Sequence, residues 1–469
     1  MSAGEQAQAM RRRQLSPVEL ARHYLDRIER LDKQVGAFVT VTADLALEQA
    51  YAAELLLAAA DKNGFPPVHG VPIAVKDLTQ VAGVRCMYGA AVFADAVAPV
   101  DDHVVTLLRR AGTVVLGKTN TPELGLPCYT EPDVAPPART PWDLTRTAGG
   151  SSGGAAAAVA AGLVPFAHGS DGGGSIRIPA ACCGIVGLKT SRGRVSNGPV
   201  LGDLNGLGGN GALARSVADA ALLLDAMAGP MPGDPHWAPP LPAGETFASQ
   251  AAREPGRLRI GRYRVPVIAD AMVHPDCVAA YERASALLDD LGHELLEVDP
   301  PFGPELVPAF ETVWAVSAAT APVPPGQEER LRPLTRWLRA RGRVIPAPDY
   351  AGALVALQSA ARAAVTATWQ LDAVLTPALA TPPPAVGALR DDADPAGDFA
   401  AQKRFTPFTA PYNVTGQPAL TLPVQRNADG LPISVQLAGR PTGEGALLAL
   451  AAQLEAACPA LPRAPLWQD

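Results

Sequence analysis

Residues 145–196 read TRTAGGSSGGAAAAVAAGLVPFAHGSDGGGSIRIPAACCGIVGLKTSRGRVS. Within this stretch the Ala-rich run AAAAVAAGL has a helical pattern, and VPFAH has the pattern of a strand. The run holds two glycine-flanked serine sites, GGSSGG at 149–154 and DGGGSIR at 171–177. Gly172, Gly173 and Gly174 leave backbone N–H groups unshielded just ahead of Ser175. Such groups can converge on a developing oxyanion, where one donor is worth roughly 3–4 kcal/mol in acyl transfer. A serine hydroxyl needs a base, and in this neighbourhood of the sequence the only histidine is His168. A lysine can serve instead if it is buried and neutral, because desolvation lowers its pKa.

Outward from this stretch the pairing of helix and strand continues. HVVTLLRRAG leads into TVVLGKT (103–119), and DCVAAYERASALLDDLG leads into HELLEV (276–298). This rhythm predicts an α/β fold with a largely parallel sheet. Toward the N-terminus, Ser16-Pro17-Val18-Glu19 is a capping box with Pro at the first helical position, opening a helix striped by Val18, Ala21, Tyr24, Leu25, Ile28 and Leu31. A second helical run covers about 43–62 and is ended by Asn63-Gly64. It precedes the strand VPIAV (71–75), which carries Lys76 at its C-terminal end. Late in the chain GLPISVQLAG (430–439) precedes a last helix near 443–458. Pro and Gly gather at 229–243, 322–326 and 381–387, marking loops rather than domain linkers, and there is no internal repeat.

The 469 residues are 48% hydrophobic and 18% charged, enough for a large buried core. Thirty-nine basic against 46 acidic residues give a net charge of −7, and the tight basic run is Arg11 to Arg13. That balance predicts neither a nucleic-acid nor an anionic-membrane partner. The run after the arginines is charged throughout and is no export signal, and the stretch Ala155–Phe166 is too short to span a bilayer. A cytoplasmic protein is expected. Six cysteines without a C-x-x-C pair and seven histidines without clustering predict free buried thiols and no metal.

Taken together, GVPIAVKD (70–77), GGSSGG and DGGGSIRIPAACCGIVGLK closely resemble the amidase signature family of hydrolases. In that family a lysine ends a strand, a serine follows an unusual cis peptide, and a second serine 24 residues on, here 151 to 175, is the nucleophile. The resemblance implies Lys76 as base, Ser151 as proton shuttle and Ser175 as nucleophile. It implies an oxyanion hole from the backbone amides of Gly172 to Ser175, with Ser152 and Asp171 as supporting hydrogen bonders and Arg177 as a structural arginine. It also implies a single domain over 1–469, a central mixed β-sheet flanked by helices on both faces, a signature core at about 70–215 and a variable, substrate-shaping region at about 230–400. No metal or organic cofactor is implied. The N-terminal helix, HVVTLLRRAGTVVLGKTN, ARSVADAALLLDAMAG and APYNVTGQPALTLPV (410–424) also stand in family order. Two positions depart from it: Gly172 stands where many members carry Thr or Ile, and RTPW (139–142) lacks the Asn often found before the proline.

Two rival motifs fail on context. GTVVLGKT (112–119) fits the phosphate-loop pattern, but its interior is itself strand-like and no helix follows directly. Gly150-Ser-Ser-Gly-Gly154 fits a nucleophile elbow on Ser152, but TPWDLTRTA is a poor strand and no histidine follows His293. Asn413-Val-Thr fits a glycosylation acceptor but reads as a loop element, and Cys128, Cys182 and Cys183 read as packing residues around the site. The expected substrate is a small-molecule amide, apolar or aryl, linear or cyclic, with a carbamate (urethane) as alternative and esters as a side activity. A subunit of an amidotransferase is the rival class. A monomer or homodimer is expected.

Overall fold

The computed structural model describes residues 1–59, 64–202, 204–459 and 461–468. Eleven strands among these form one sheet: β1 (Phe38–Val41), β2 (Pro72–Lys76), β3 (Val114–Thr119), β4 (Phe166–Ser170), β5 (Val186–Lys189), β6 (Asn210–Ala214), β7 (Arg259–Arg262), β8 (Glu294–Glu297), β9 (Ala373–Pro377), β10 (Ala419–Arg426) and β11 (Pro432–Gly439). Their spatial order is β1-β3-β2-β4-β6-β5-β10-β11-β9-β7-β8. Every residue of β2, β3, β5, β6, β9 and β11 is buried, which requires helices over both faces. The helix Gly153–Ala160 packs across β2, β3, β4 and β6, and the helices Pro275–Asp290 and Glu444–Ala457 pack on β10 and β11.

The expectation of a largely parallel sheet is corrected. β2 pairs in parallel with β3 and β4, and β7 with β8 and β9, but the middle of the sheet, from β4 through β6, β5, β10 and β11 to β9, is antiparallel throughout. Part of the cause is local: β10 and β11 are joined by the short turn 427–431, which cannot carry a parallel crossover.

The helix Pro17–Val35 has the expected capping box, with Ser16 Oγ accepting from Val18 and Glu19 N–H. A helix before it, Ala3–Arg11, was not foreseen, although Ser2 and Glu5 form a capping box of the same kind. The second helical run is observed over Ala43–Ala59, and its expected end at 60–63 lies outside the described residues. VVLGKT is strand β3, and Lys118 on it forms a buried 2.8 Å ion pair with Asp77, so the phosphate-loop pattern has no loop to act through. Four helices, Leu306–Thr320, Pro333–Arg343, Ala347–Ala367 and Pro395–Phe405, pack largely on one another, away from the sheet. No helix among the described residues is long and apolar enough to cross a membrane.

Candidate active site

β2, β3 and β4 run in parallel and end together, so groups at their carboxyl ends share one edge, where α/β sheets bind ligands. Lys76 is the last residue of β2 and is fully buried. Its Nζ donates to Ser151 Oγ at 2.7 Å and to the Ser170 carbonyl, at the end of β4, at 3.0 Å. Burial is the main influence on this ammonium and brings it down to about 7, with Asp171 pulling the other way. Lys189 is likewise brought to about 7, mainly by burial, but donates to its neighbour's carbonyl at Thr190. What distinguishes Lys76 is therefore the hydroxyl it faces.

Ser151 and Ser152 precede the helix Gly153–Ala160, and the Gly150–Ser151 peptide is cis. The glycines let this turn lie directly on backbone. A Cβ at Gly154 would run into the Ala37 carbonyl and the Asn120 amide. Ser152 is fully buried; its Oγ donates to the Ser170 carbonyl at 3.2 Å, and its N–H donates to the Ser175 carbonyl at 3.0 Å. Ser152 is thus tied to both loops and is not open to a substrate, as the elbow reading would need.

Ser175 ends the DGGGS loop, just before the short helix Arg177–Cys183. Its hydroxyl makes no hydrogen bond among the described residues and opens on a pocket. The loop is held from beneath by a buried network. Asp171 accepts from Gly174 N–H at 2.7 Å and Ile176 N–H at 3.1 Å, and from Arg177 Nη2 at 2.9 Å and Nε at 3.0 Å. Asn413 Nδ2 donates to the Asp171 carbonyl and carboxylate at 2.9 Å each, while Asn413 Oδ1 accepts from Arg177 Nη2 at 2.6 Å. Arg177 Nη1 reaches the Thr409 carbonyl and Gln436 Oε1, both at 2.7 Å. Burial raises the Asp171 carboxyl, but Arg177, Lys189 and Asn413 override it and hold the group well below the usual carboxylate range.

One expectation changes here. Gly174 N–H is already committed to Asp171, whereas the amides of Gly172, Gly173 and Ser175 have no acceptor among the described residues. Gly174 has another reason to be glycine: its φ is +130°, and a Cβ there would collide with Thr409, whose Oγ1 donates to the Gly173 carbonyl at 2.7 Å. His168, the histidine close to the serines in sequence, is buried in β4 and bonded through Nε2 to Asn210 Oδ1 at 2.8 Å. Burial lowers it to about 4, so it stays neutral and occupied.

Ser170, Thr409, Asn413 and Gln436 were not singled out from the sequence. Asn413 belongs to the glycosylation-like triplet expected in a loop. It lies instead in the short helix Pro411–Thr415 and is buried against Asp171. Its signal was the segment APYNVTGQPALTLPV, which stands in family order; the carbonyl of Ser170 carries no side-chain signal at all.

The pocket in front of Ser175 encloses about 720 Å³, part of it open solvent. Gly173, Ser175 and Ile178 line it together with Phe310, Trp314 and Phe399. Phe310 and Trp314 stack with ring centroids 5.4 Å apart and planes 18° from parallel. They lie over the glycine loop: a Cβ at Gly172 would sit 3.4 Å from Trp314 Cζ3, and one at Gly173 would sit 3.6 Å from Phe310 Cζ. Cys128 also lines the pocket and Cys182 and Cys183 are fully buried; all are free thiols, and burial pushes each of them up. Among the described residues no group of His, Cys, Asp or Glu is arranged to hold a metal ion.

Comparison with known proteins gives this geometry a context. A family model described as Amidase matches residues 19–448. The 6-aminohexanoate-cyclic-dimer hydrolase of Paenarthrobacter ureafaciens is 34% identical over 99% of this chain and 96% of its own length. A solved structure of 6-aminohexanoate cyclic dimer hydrolase complexed with substrate superposes with a TM-score of 0.90 at 32% identity, covering 100% of this chain and 99% of that one. A bacterial aryl acylamidase of the amidase signature enzymes superposes with a TM-score of 0.87 at 25% identity, covering 98% of this chain and 96% of that one.

Proposed function

The chain belongs to the amidase family, and from that premise we propose that it hydrolyses amide C–N bonds of small apolar or aryl substrates through an acyl-enzyme on Ser175. The observation that carries this reading is the 2.7 Å hydrogen bond between Ser151 Oγ and a fully buried lysine brought to about 7. A lysine with that pKa is substantially neutral at physiological pH, where it can accept a proton.

In this mechanism Lys76 takes the Ser151 proton as Ser151 takes that of Ser175, and Ser175 Oγ attacks the substrate carbonyl. The hydrogen bonds reach from Lys76 to Ser151; the step from Ser151 to Ser175 is the link the mechanism adds, made when substrate closes the pocket. The tetrahedral oxyanion accepts from the Gly172, Gly173 and Ser175 amides, with Gly174 turned inward to Asp171. The relay returns the proton to the departing amine. Water then enters, gives its proton to the same relay and releases the acid, restoring Ser175. Ser152, Asp171 and Arg177 position the two loops. The region 70–215 supplies the reacting groups, and the helices that follow shape the substrate.

The stacked Phe310–Trp314 wall supports an aryl or flat apolar group. The test is a panel of anilides, short aliphatic amides, cyclic amides and carbamates, with kcat/KM for each on the purified chain alone. Turnover of an anilide with no partner is expected. Turnover that needs added partner chains would replace this reading with the amidotransferase class, and carbamates hydrolysed faster than every amide would move the assignment to a urethanase.

A further inference from the structure

The pocket wall is apolar apart from a few groups, most of which are already occupied. Gln402 Oε1 accepts from Cys128 N–H at 2.9 Å while its Nε2 donates to Asp398 Oδ1 at 2.6 Å, and Thr406 Oγ1 donates to the Gln402 carbonyl at 3.0 Å. Besides Ser175 this leaves an ion pair on the wall, Glu311 with Lys403, at 2.5 Å between Oε1 and Nζ. Arg341 Nη2 stands 3.6 Å from the other oxygen of the same carboxylate.

One carboxylate therefore serves two cations. The further contacts recorded for these cations are ring faces: Lys403 over Phe399 at 5.4 Å and Arg341 over Trp337 at 4.6 Å. Lys403 and Glu311 line the apolar pocket, while Arg341, 43% exposed, stands outside its lining, so the shared carboxylate leaves Lys403 only partly compensated. The side chains of Glu311 and Lys403 are 20% and 26% exposed, so both remain reachable while most of their surroundings are protein. A half-desolvated cation attracts an anion more strongly than one in bulk water. Glu311 and Phe310 both line the pocket, and the Phe310 ring lies over Gly173, so the charged group and the aromatic rings border the same space.

We propose that Lys403, held by a Glu311 carboxylate that it shares with Arg341, forms a recognition site for a carboxylate at the far end of the substrate. This rests on the hydrolase reading above and narrows it to amides whose apolar body ends in an acid. Such a carboxylate accepts from Lys403, completing the pairing that Glu311, shared with Arg341, leaves half done. An ammonium in the same place meets two cations already competing for one acid.

The test uses three acetamides whose nitrogen carries the same hexyl chain, ending in carboxylate, methyl or ammonium, titrated calorimetrically into the full chain carrying Ser175→Ala. A charge-assisted hydrogen bond corresponds to about a tenfold or larger change in affinity. The carboxylate-ended amide is accordingly expected to bind about tenfold tighter than the methyl-ended one, and the ammonium-ended one weakest. Lys403→Met should reduce the advantage to about twofold or less, Lys403→Arg should keep it, and Glu311→Gln should widen it, a gain that a damaged fold would not produce. Tightest binding of the ammonium-ended amide, or an unchanged preference in Lys403→Met, overturns the site. Turnover of all three at one rate by the unmodified chain overturns it and leaves the hydrolase standing. The predicted order of binding with no turnover of any of the three does the reverse.

Discussion

Between residues 70 and 215 the groups proposed to do the chemistry sit on strand ends and glycine turns, with Lys76, Ser151, Ser152, Asp171 and Arg177 all but inaccessible. The facing wall, drawn from the helices Leu306–Thr320 and Pro395–Phe405, is held by stacked rings and by an ion pair partly open to water. In the first region Lys76, Ser152, Asp171 and Arg177 are tied to backbone or to buried partners, and Asp171 alone takes up two N–H groups, a guanidinium and an amide. The second is held by contacts that tolerate exchange. The contrast has a physical rationale: moving a proton along a relay requires fixed distances and a dry setting, because desolvation is what lowers a lysine's pKa far enough for the amine to be neutral. Choosing a substrate requires shape and one or two charges, and those can be altered without disturbing the relay.

The comparison can be broken at three points, in order of expected effect. Ser175→Ala should lower kcat by roughly three to six orders of magnitude while leaving the melting temperature nearly unchanged, since its hydroxyl holds nothing together. Activity within tenfold of the unmodified chain, an allowance of about 1.4 kcal/mol, would remove Ser175 from the chemistry.

Lys76→Met should lose about as much and should also change the pH profile. The acting form is the free amine, so kcat/KM should rise as pH passes through about 7 and level off above it; below that the ammonium dominates and cannot accept a proton. The residual activity of Lys76→Met should lack this rise. The same rise surviving in the variant would assign the titration to another group.

Gly172→Thr tests the seam between the two regions and should act most mildly. A Cβ at 172 only touches Trp314, but the γ atoms of threonine would press into the ring. An anilide should lose about tenfold in kcat/KM, as overpacking typically costs about 1–3 kcal/mol. Adding Trp314→Ala should restore a small aliphatic amide but not the anilide. Equal losses for both substrates in both variants would mean that the aromatic wall takes no part in selection.

Much of the fold was legible because the signals were local. The helix–strand pairs from 103 to 298, the Ser16 capping box and the strand that ends in Lys76 all stand where their apolar periods put them. The helix Ala3–Arg11 carried its own capping box and was overlooked. The antiparallel middle of the sheet was not legible from helix–strand alternation, because strand direction depends on which strands become neighbours. Within the site, Lys76, Ser151 and Ser175 stood out by glycine flanks and spacing. Asn413 is buried against Asp171, 242 residues away in the chain, and no local pattern marks such a partner.

By itself, then, the sequence determined the kinds of groups available and their order: a lysine closing a strand, and two serines among glycines at a spacing shared with a family of hydrolases. Backbone periodicity and turn chemistry act over a few residues, so these features survive in a linear reading. Only the tertiary structure decided that Gly174 turns its N–H inward to Asp171, that Trp314 lies over Gly172, and that Glu311 meets Lys403 across 92 residues of chain. Each of these depends on elements packing at a particular distance and angle, which is settled when the core closes and not before.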